Sequence, residues 1–469
     1  MEGKDDFMEF ERDIYIPLLE WAENSTRGLF LKGPRQVGKT HVLKTLGKEK
    51  LYFSGCVYID LRDDELRTWL ETNRNGMKWQ ERFKRFVEDF PGCVIAGEPF
   101  SDTGMLPLLI LDEIQESPKM YNSIRDIVNE GKVRLAVSGS YLGIAEFENR
   151  FSNLGQSYFS PVGDVRPLEM GSLTYREAAR ACKRYRPELS KEEIFSRYLK
   201  FGGYPEAVKT WIRQENTERR NKECLDVLGE IYTILMQDAR RYINEPLPQS
   251  VWDRMFIGVV QQIEKKQDIL NDYDQELSYK LRLPVSNAAG REAKISMMAW
   301  MLNCNLLWTG EVAGSLGDLN KITKLSYFFS DQGLLLLVYV NSTLYPSIPI
   351  DRGNMSGILA ENFVALALKE FMVPLSYASK KGEIDFIYKK YTDKLPDAIE
   401  VKYSGGNTPS GDKALAENKI KRIIKIQGNE EKSTDSTIIY PIQNIDKFGE
   451  FLGYPESINR YSLSKLELF

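Results

Sequence analysis

Gly33-Pro34-Arg35-Gln36-Val37-Gly38-Lys39-Thr40 fits the pattern G-x-x-x-x-G-K-[ST] without a mismatch. Backbone N–H groups of such a loop wrap phosphate oxygens, the lysine neutralises them, and the threonine hydroxyl holds Mg²⁺. Gly33 to Thr40 is therefore the candidate nucleotide loop, with Lys39 at the phosphates and Thr40 at the metal. The chemistry this set supports is phosphoryl transfer from ATP with Mg²⁺.

A second set follows at Leu108-Leu109-Ile110-Leu111-Asp112-Glu113. Its apolar run suits a buried strand with two carboxylates at the end. Asp112 is placed to join Thr40 in the Mg²⁺ shell, and Glu113 to polarise the attacking water. Alone, such a pair would be the polar end of a strand; downstream of a P-loop it reads as a Walker B element. Val133-Arg134-Leu135-Ala136-Val137 ends in Ser138-Gly139-Ser140, which makes Ser138 a candidate γ-phosphate sensor. A plain Ser-Gly turn is the alternative.

The third set is Asp385 with Glu400 and Lys402, spaced D…E-x-K. Period-two geometry puts Glu400 and Lys402 on one strand face, and the helical Glu361 lies upstream. Glu361, Asp385 and Glu400 are thus candidate metal ligands, with Lys402 beside the nucleophilic water. That is an apparatus for metal-dependent phosphodiester cleavage. An exposed strand also produces E-x-K, so a solvated face or a relic site stands as the other reading.

Composition narrows the field. The chain has 469 residues, enough for several domains, and 63 basic against 67 acidic residues give a net charge of −4. Nucleic-acid binding, if present, must come from local patches. Five scattered cysteines suit reduced thiols in a cytoplasmic protein and contain no zinc spacing. His41 is the sole histidine, which excludes a Ser-His-Asp triad and multi-histidine metal centres within the chain. The charged start leads into no signal-peptide core, and the apolar run Gly333 to Val340 is too short to span a bilayer, so no membrane contact is expected.

The elements that must position these residues fall into four segments. Residues 1–170 alternate helix and strand, including Val57-Tyr58-Ile59-Asp60-Leu61, as in a parallel sheet covered on both faces. Residues 171–245 carry helical spacing from Leu173 to Arg186, Lys191 to Lys200 and Thr217 to Tyr242, with a tight turn at Gly202-Gly203. They read as a helical lid over the nucleotide, with a plain helical bundle as the bland alternative. Residues 246–345 combine a buried helix from Ala293 to Asn303 with two wing strands, Leu306 to Val312 and Lys324 to Phe329. A winged helix of this kind docks on DNA or on protein, and both partners stay open. Residues 346–469 hold the apolar helix Gly357 to Phe371 and strands at Leu375 to Ala378, Glu383 to Tyr388 and Ala398 to Tyr403. A basic helix carrying Lys413, Lys419, Lys421, Arg422 and Lys425 is expected after them.

With these motifs assembled, the chain resembles the archaeal and bacterial AAA+ ATPases whose C-terminal half carries a domain similar to restriction endonucleases. The residues that carry the resemblance are the P-loop, Leu111-Asp112-Glu113-Ile114-Gln115, Ser138-Gly139-Ser140, Gly202-Gly203-Tyr204-Pro205-Glu206, Gly382-Glu383-Ile384-Asp385-Phe386 and Ile399-Glu400-Val401-Lys402. The resemblance implies an α/β fold: an AAA+ P-loop parallel sheet with a helical lid, a winged-helix-like middle domain and a terminal α/β domain of the PD-(D/E)XK type. Arg150 and Arg166 are arginine-finger candidates by position.

Overall fold

Alternation of side chains along each strand divides the apolar residues of the first part of the chain between two cores. The computed structural model describes residues 8–72, 76–101, 104–139, 163–242, 249–265, 297–298, 300–302, 304–344, 354–372, 374–379, 382–390, 392–428, 434 and 436–452. Its first part runs α1 (Tyr15–Asn24), β1 (Gly28–Lys32), α2 (Lys39–Leu46), β2 (Gly55–Asp60), α3 (Asp64–Thr72), α4 (Trp79–Asp89), β3 (Val94–Gly97), β4 (Leu108–Asp112), α5 (Pro118–Glu130), β5 (Arg134–Gly139) and β6 (Val165–Glu169). The strands form one sheet in the order β3-β2-β4-β5-β1-β6. All neighbours are parallel except β3, which lies antiparallel on β2 at the edge.

Leu29, Leu31, Leu108 and Ile110 point to the face covered by α1 and α2 through Leu18, Trp21, Val42 and Leu43. Phe30, Val57, Leu109 and Leu111 point to the face covered by α3, α4 and α5 through Leu70, Phe83, Phe86 and Ile124. A parallel sheet needs both faces covered, and here both are. The ends of α5 show how the sequence sets its limits. Ser117 caps the start by accepting the Met120 N–H at 3.2 Å, Pro118 fits the first turn, and Gly131 closes the helix at φ 63°.

Next come α6 (Tyr175–Tyr185), α7 (Lys191–Phe201), α8 (Pro205–Arg213), α9 (Thr217–Tyr242) and α10 (Gln249–Lys265). Capping boxes start two of them, Thr174 with Glu177 and Ser190 with Glu193. The turn between α7 and α8 is shaped by close approach. Gly203 donates its N–H to Asp331 Oδ2 at 2.8 Å, and its carbonyl accepts the Leu173 N–H at 2.7 Å. A Cβ at Gly203 would collide with the Leu173 carbonyl oxygen, and Gly202 stands at φ +69° against Asp331. Gly203→Ala is therefore expected to lower stability by about 3 kcal/mol, read as a drop in the urea midpoint of the full chain.

The last part holds β7 (Leu307–Ala313), β8 (Ile322–Phe329), α11 (Gln332–Asn341), α12 (Met355–Lys369), β9 (Leu375–Ser379), β10 (Gly382–Tyr388), β11 (Asp397–Val401), α13 (Pro409–Ala416), β12 (Ile423–Gln427), β13 (Thr437–Pro441) and α14 (Phe448–Leu452). Seven strands form a second sheet in the order β13-β12-β11-β10-β9-β7-β8. β7 and β8 pair antiparallel, as wing strands would, yet β7 also pairs in parallel with β9 through Glu311 and Leu375. The hairpin thus extends the terminal sheet, and one sheet runs across the 345/346 boundary expected between two segments. Of the helix expected from Ala293 to Asn303, the described residues are helical up to Leu302, and Met297, Met298, Trp300 and Met301 are buried.

The expected basic helix is corrected. Helix α13 ends at Ala416, and Lys425 sits in β12, whose five residues Ile423-Ile424-Lys425-Ile426-Gln427 are all buried. Three isoleucines favour the strand, and its parallel pairing with β11 sets Lys425 opposite Glu400. The apolar run at Gly333 to Val340 forms α11, which packs on α7 and joins a single core running from Ile14 to Leu452.

Candidate functional site

The loop after β1 reverses its handedness residue by residue. Gln36 at φ 63° and Gly38 at φ 96° are left-handed, and α2 begins at Lys39. Such alternation turns successive N–H groups toward one point at a helix N-terminus, an anion cradle. Gly33 is required because a Cβ there would strike the Met170 carbonyl. Lys39 is 6% exposed, and its Nζ donates to the Gly33 and Pro34 carbonyls, each at 2.8 Å. Burial lowers its pKa from the ordinary lysine value, and the charges of Glu113 and Asp112 oppose that shift.

Asp112 gathers three hydroxyls. Thr40 Oγ1 donates to Asp112 Oδ2 at 2.6 Å, the Tyr58 hydroxyl donates to the same oxygen at 2.9 Å, and Ser138 Oγ donates to Oδ1. β4 thus carries Asp112 between β2, which brings Tyr58, and β5, which brings Ser138. Burial, then the Asp112 charge and hydrogen bond, raise the Tyr58 pKa, so it stays a protonated donor. Glu113 is 8% exposed and left-handed at φ 53°, a conformation that costs a non-glycine residue about 1 kcal/mol or more. Gln115 Nε2 holds its Oε2. The expected residues Lys39, Thr40, Asp112, Glu113 and Ser138 therefore meet at one place.

Several residues of this site do not follow from the motifs. Arg12 donates to the Val37 carbonyl at 2.8 Å, to the Gly171 carbonyl at 2.7 Å and to Glu177 Oε1 at 3.1 Å, tying the loop to the start of α6. Arg35 Nε lies 2.5 Å from Asp238 Oδ2 on α9, so this loop cation is engaged by a carboxylate of that helix. Arg62 follows β2 and is held by Asp60. A cleft of about 730 Å³ joins these groups; Lys39, Arg62 and Glu113 line it, as do Phe10, Pro205 of α8 and Ile231 of α9. That size suits a nucleotide. Arg166 does not line the cleft: it lies near the start of β6, 3.6 Å from Glu20. Ser140 and Arg150 lie outside the described residues.

In the second sheet, β10 and β11 bring Asp385, Glu400 and Lys402 together. Lys402 Nζ stands 3.0 Å from Glu400 Oε2 and 3.5 Å from Asp385 Oδ2, and Asp385 Oδ2 accepts the Val401 N–H at 2.8 Å. Burial works to lower the Lys402 pKa, but the charges and hydrogen bonds of Asp385 and Glu400 outweigh it and the net shift is upward. Glu361 is on α12, which packs against β11. Among the described residues, no group of three or more His, Cys, Asp or Glu is arranged to hold a metal ion.

Residues 25–178 match the family model of an AAA domain. That span runs from β1 to the start of α6 and contains every nucleotide-site residue expected from sequence. Among solved structures, a Walker-type ATPase of Pyrococcus abyssi is similar at 15% identity, covering 71% of this chain and 96% of that one with a TM-score of 0.45. The RuvB Holliday junction branch migration motor of Thermotoga maritima is similar at 15% identity, covering 64% of this chain and 89% of that one with a TM-score of 0.30. No curated protein matches the chain. Residues 25–178 are thus similar to an AAA domain, and they lie within a mixed α/β fold whose sheet is largely parallel. Among the described residues no helix is long and apolar enough to cross a membrane.

Proposed function

We propose that the chain binds and hydrolyses ATP at the cleft between the P-loop and helices α8 and α9. The observation that carries this reading is the convergence on Asp112 of Thr40, Tyr58 and Ser138, next to Glu113 and the buried Lys39. Thr40 Oγ1 and the Asp112 carboxylate are hard oxygen donors within 2.6 Å of each other, a set that fits Mg²⁺. When bound there, Mg²⁺ neutralises charge on the β- and γ-phosphate oxygens. Lys39 and the loop N–H groups hold the phosphates, and Glu113 orients a water and takes its proton. The water oxygen bonds to the γ-phosphorus while the bond to the bridging oxygen breaks, leaving ADP with the electron pair and free phosphate. Ser138 and Tyr58 act through Asp112, fixing the carboxylate. Phosphate release from Mg²⁺-ATP, with and without DNA, tests the reading.

A second reading couples this ATPase to nucleic-acid processing through the terminal sheet. Asp385 and Glu400 would hold a divalent cation, with Lys402 beside the nucleophile; such a cation activates water and offsets charge on a scissile phosphate. The expected result is nicking of supercoiled plasmid by the full chain with Mg²⁺ or Mn²⁺, lost in Asp385→Ala and Lys402→Ala while ATP turnover survives in both. A specific arrangement favours the alternative, a nucleotide switch whose terminal domain is inert and docks protein. Lys402 already bridges both carboxylates, and Lys419, Lys421 and Arg422 are paired with Glu417, Asp393 and Asp397. Absence of nicking together with absence of metal binding by calorimetry would select that alternative.

A further inference from the structure

We propose that Arg62 is a catalytic residue of the ATPase cleft, supplying from the same chain the cation that stabilises the γ-phosphoryl group as it transfers. The assignment rests on the ATP-hydrolysing reading above and extends it to a residue that none of the sequence motifs contains.

Among the described residues, five cations line the cleft: Arg12, Arg35, Lys39, Arg62 and Lys209. Arg12 is committed to Val37, Gly171 and Glu177, and Arg35 to Asp238. Lys209 pairs with Glu206 at 3.0 Å, within α8. Lys39 has the ground-state phosphates as its task. Arg62 differs from the others in being anchored from behind and open in front. Its Nε and Nη2 bind Asp60, at 3.0 Å to Oδ1 and 2.6 Å to Oδ2 respectively, and its side chain remains 52% exposed. Nη1 is uncommitted among the described residues.

The anchor is well placed. Asp60 ends β2 and is the register partner of Asp112 on β4, so Arg62 rises one strand away from the two site carboxylates. The Asp60 hydrogen bond, against partial burial, raises the Arg62 pKa, and the charges of Asp60, Glu113 and Asp112 add to it. A bidentate carboxylate clamp fixes the planar guanidinium and leaves its other edge for phosphate oxygens. As the bond to the bridging oxygen breaks, negative charge gathers on ADP and on the γ-phosphoryl oxygens; a preoriented guanidinium offsets it without reorganising. Asp60 Oδ1 also accepts the Arg62 backbone N–H at 3.0 Å, so the turn after β2 and the guanidinium are fixed by one carboxylate.

The test uses the full chain with Arg62→Ala and Arg62→Lys, their melting compared with wild type. Arg62→Ala is expected to lower kcat by about 100-fold or more while affinity for ATP and ADP shifts by less than about 5-fold. Arg62→Lys should recover part of the rate, and it keeps a partner for Asp60 should the alanine variant fold poorly. Tight binding of ADP with aluminium fluoride, a transition-state mimic, should be lost in Arg62→Ala although ADP binding is kept. Wild-type turnover with an equally active Arg62→Ala overturns this assignment alone. A wild type no more active than Lys39→Ala overturns the ATPase reading and this assignment with it.

Discussion

Lys39→Ala abolishes ATP turnover, with kcat falling about 1000-fold or more. Lys39 is the one P-loop cation free for phosphate, since Arg35 in the same loop is paired with Asp238 across the cleft. Arg35 therefore cannot substitute for it. The ammonium sits at the mouth of the loop, held by the Gly33 and Pro34 carbonyls, and burial already disfavours its charge. A triphosphate supplies the anion that this buried charge lacks, so affinity should fall along with rate. The variant loses the two lysine hydrogen bonds to the loop carbonyls but should still fold, because Gly33, Gly38 and Arg12 also shape the loop. Malachite-green phosphate release and nucleotide fluorescence measure the two losses. Unchanged turnover would remove the P-loop from the account.

Glu113→Gln separates binding from chemistry. The amide keeps the size of the side chain and can still meet Gln115, whose Nε2 now donates to the Glu113 carboxylate. It cannot accept a proton from water, so the expected loss is about 100- to 1000-fold in kcat with ATP affinity retained. The left-handed backbone at φ 53° makes the position sensitive to shape, which is why glutamine and not a β-branched residue is the informative change. Equal loss of binding and turnover would make Glu113 a structural residue.

How much was legible beforehand depended on whether a residue's role is written in its neighbours. The P-loop and the Asp112-Glu113 pair each combine a contiguous motif with an apolar strand, so residues 72 apart in sequence could be paired as Thr40 and Asp112 are. Asp385, Glu400 and Lys402 followed from period-two spacing on adjacent strands. Arg12 was not legible, because its partner Glu177 is 165 residues away and no pattern links them. Tyr58 was seen only as part of a strand; its hydroxyl gains meaning from β2 lying next to β4. The lysine spacing alone suggests a basic helix, but the isoleucines between the lysines and the burial of β12 in a sheet decide for strand. The sequence shows the two strands of the hairpin but not their neighbour, since pairing with β9 is a tertiary choice that neither segment specifies alone.

The most direct test of the central claim is phosphate release by the purified full chain over a range of ATP concentrations, with Mg²⁺ and with a chelator. Saturable release that needs the divalent cation is the predicted result. Release no greater with Mg²⁺ than with chelator, from protein that melts cooperatively, would contradict it.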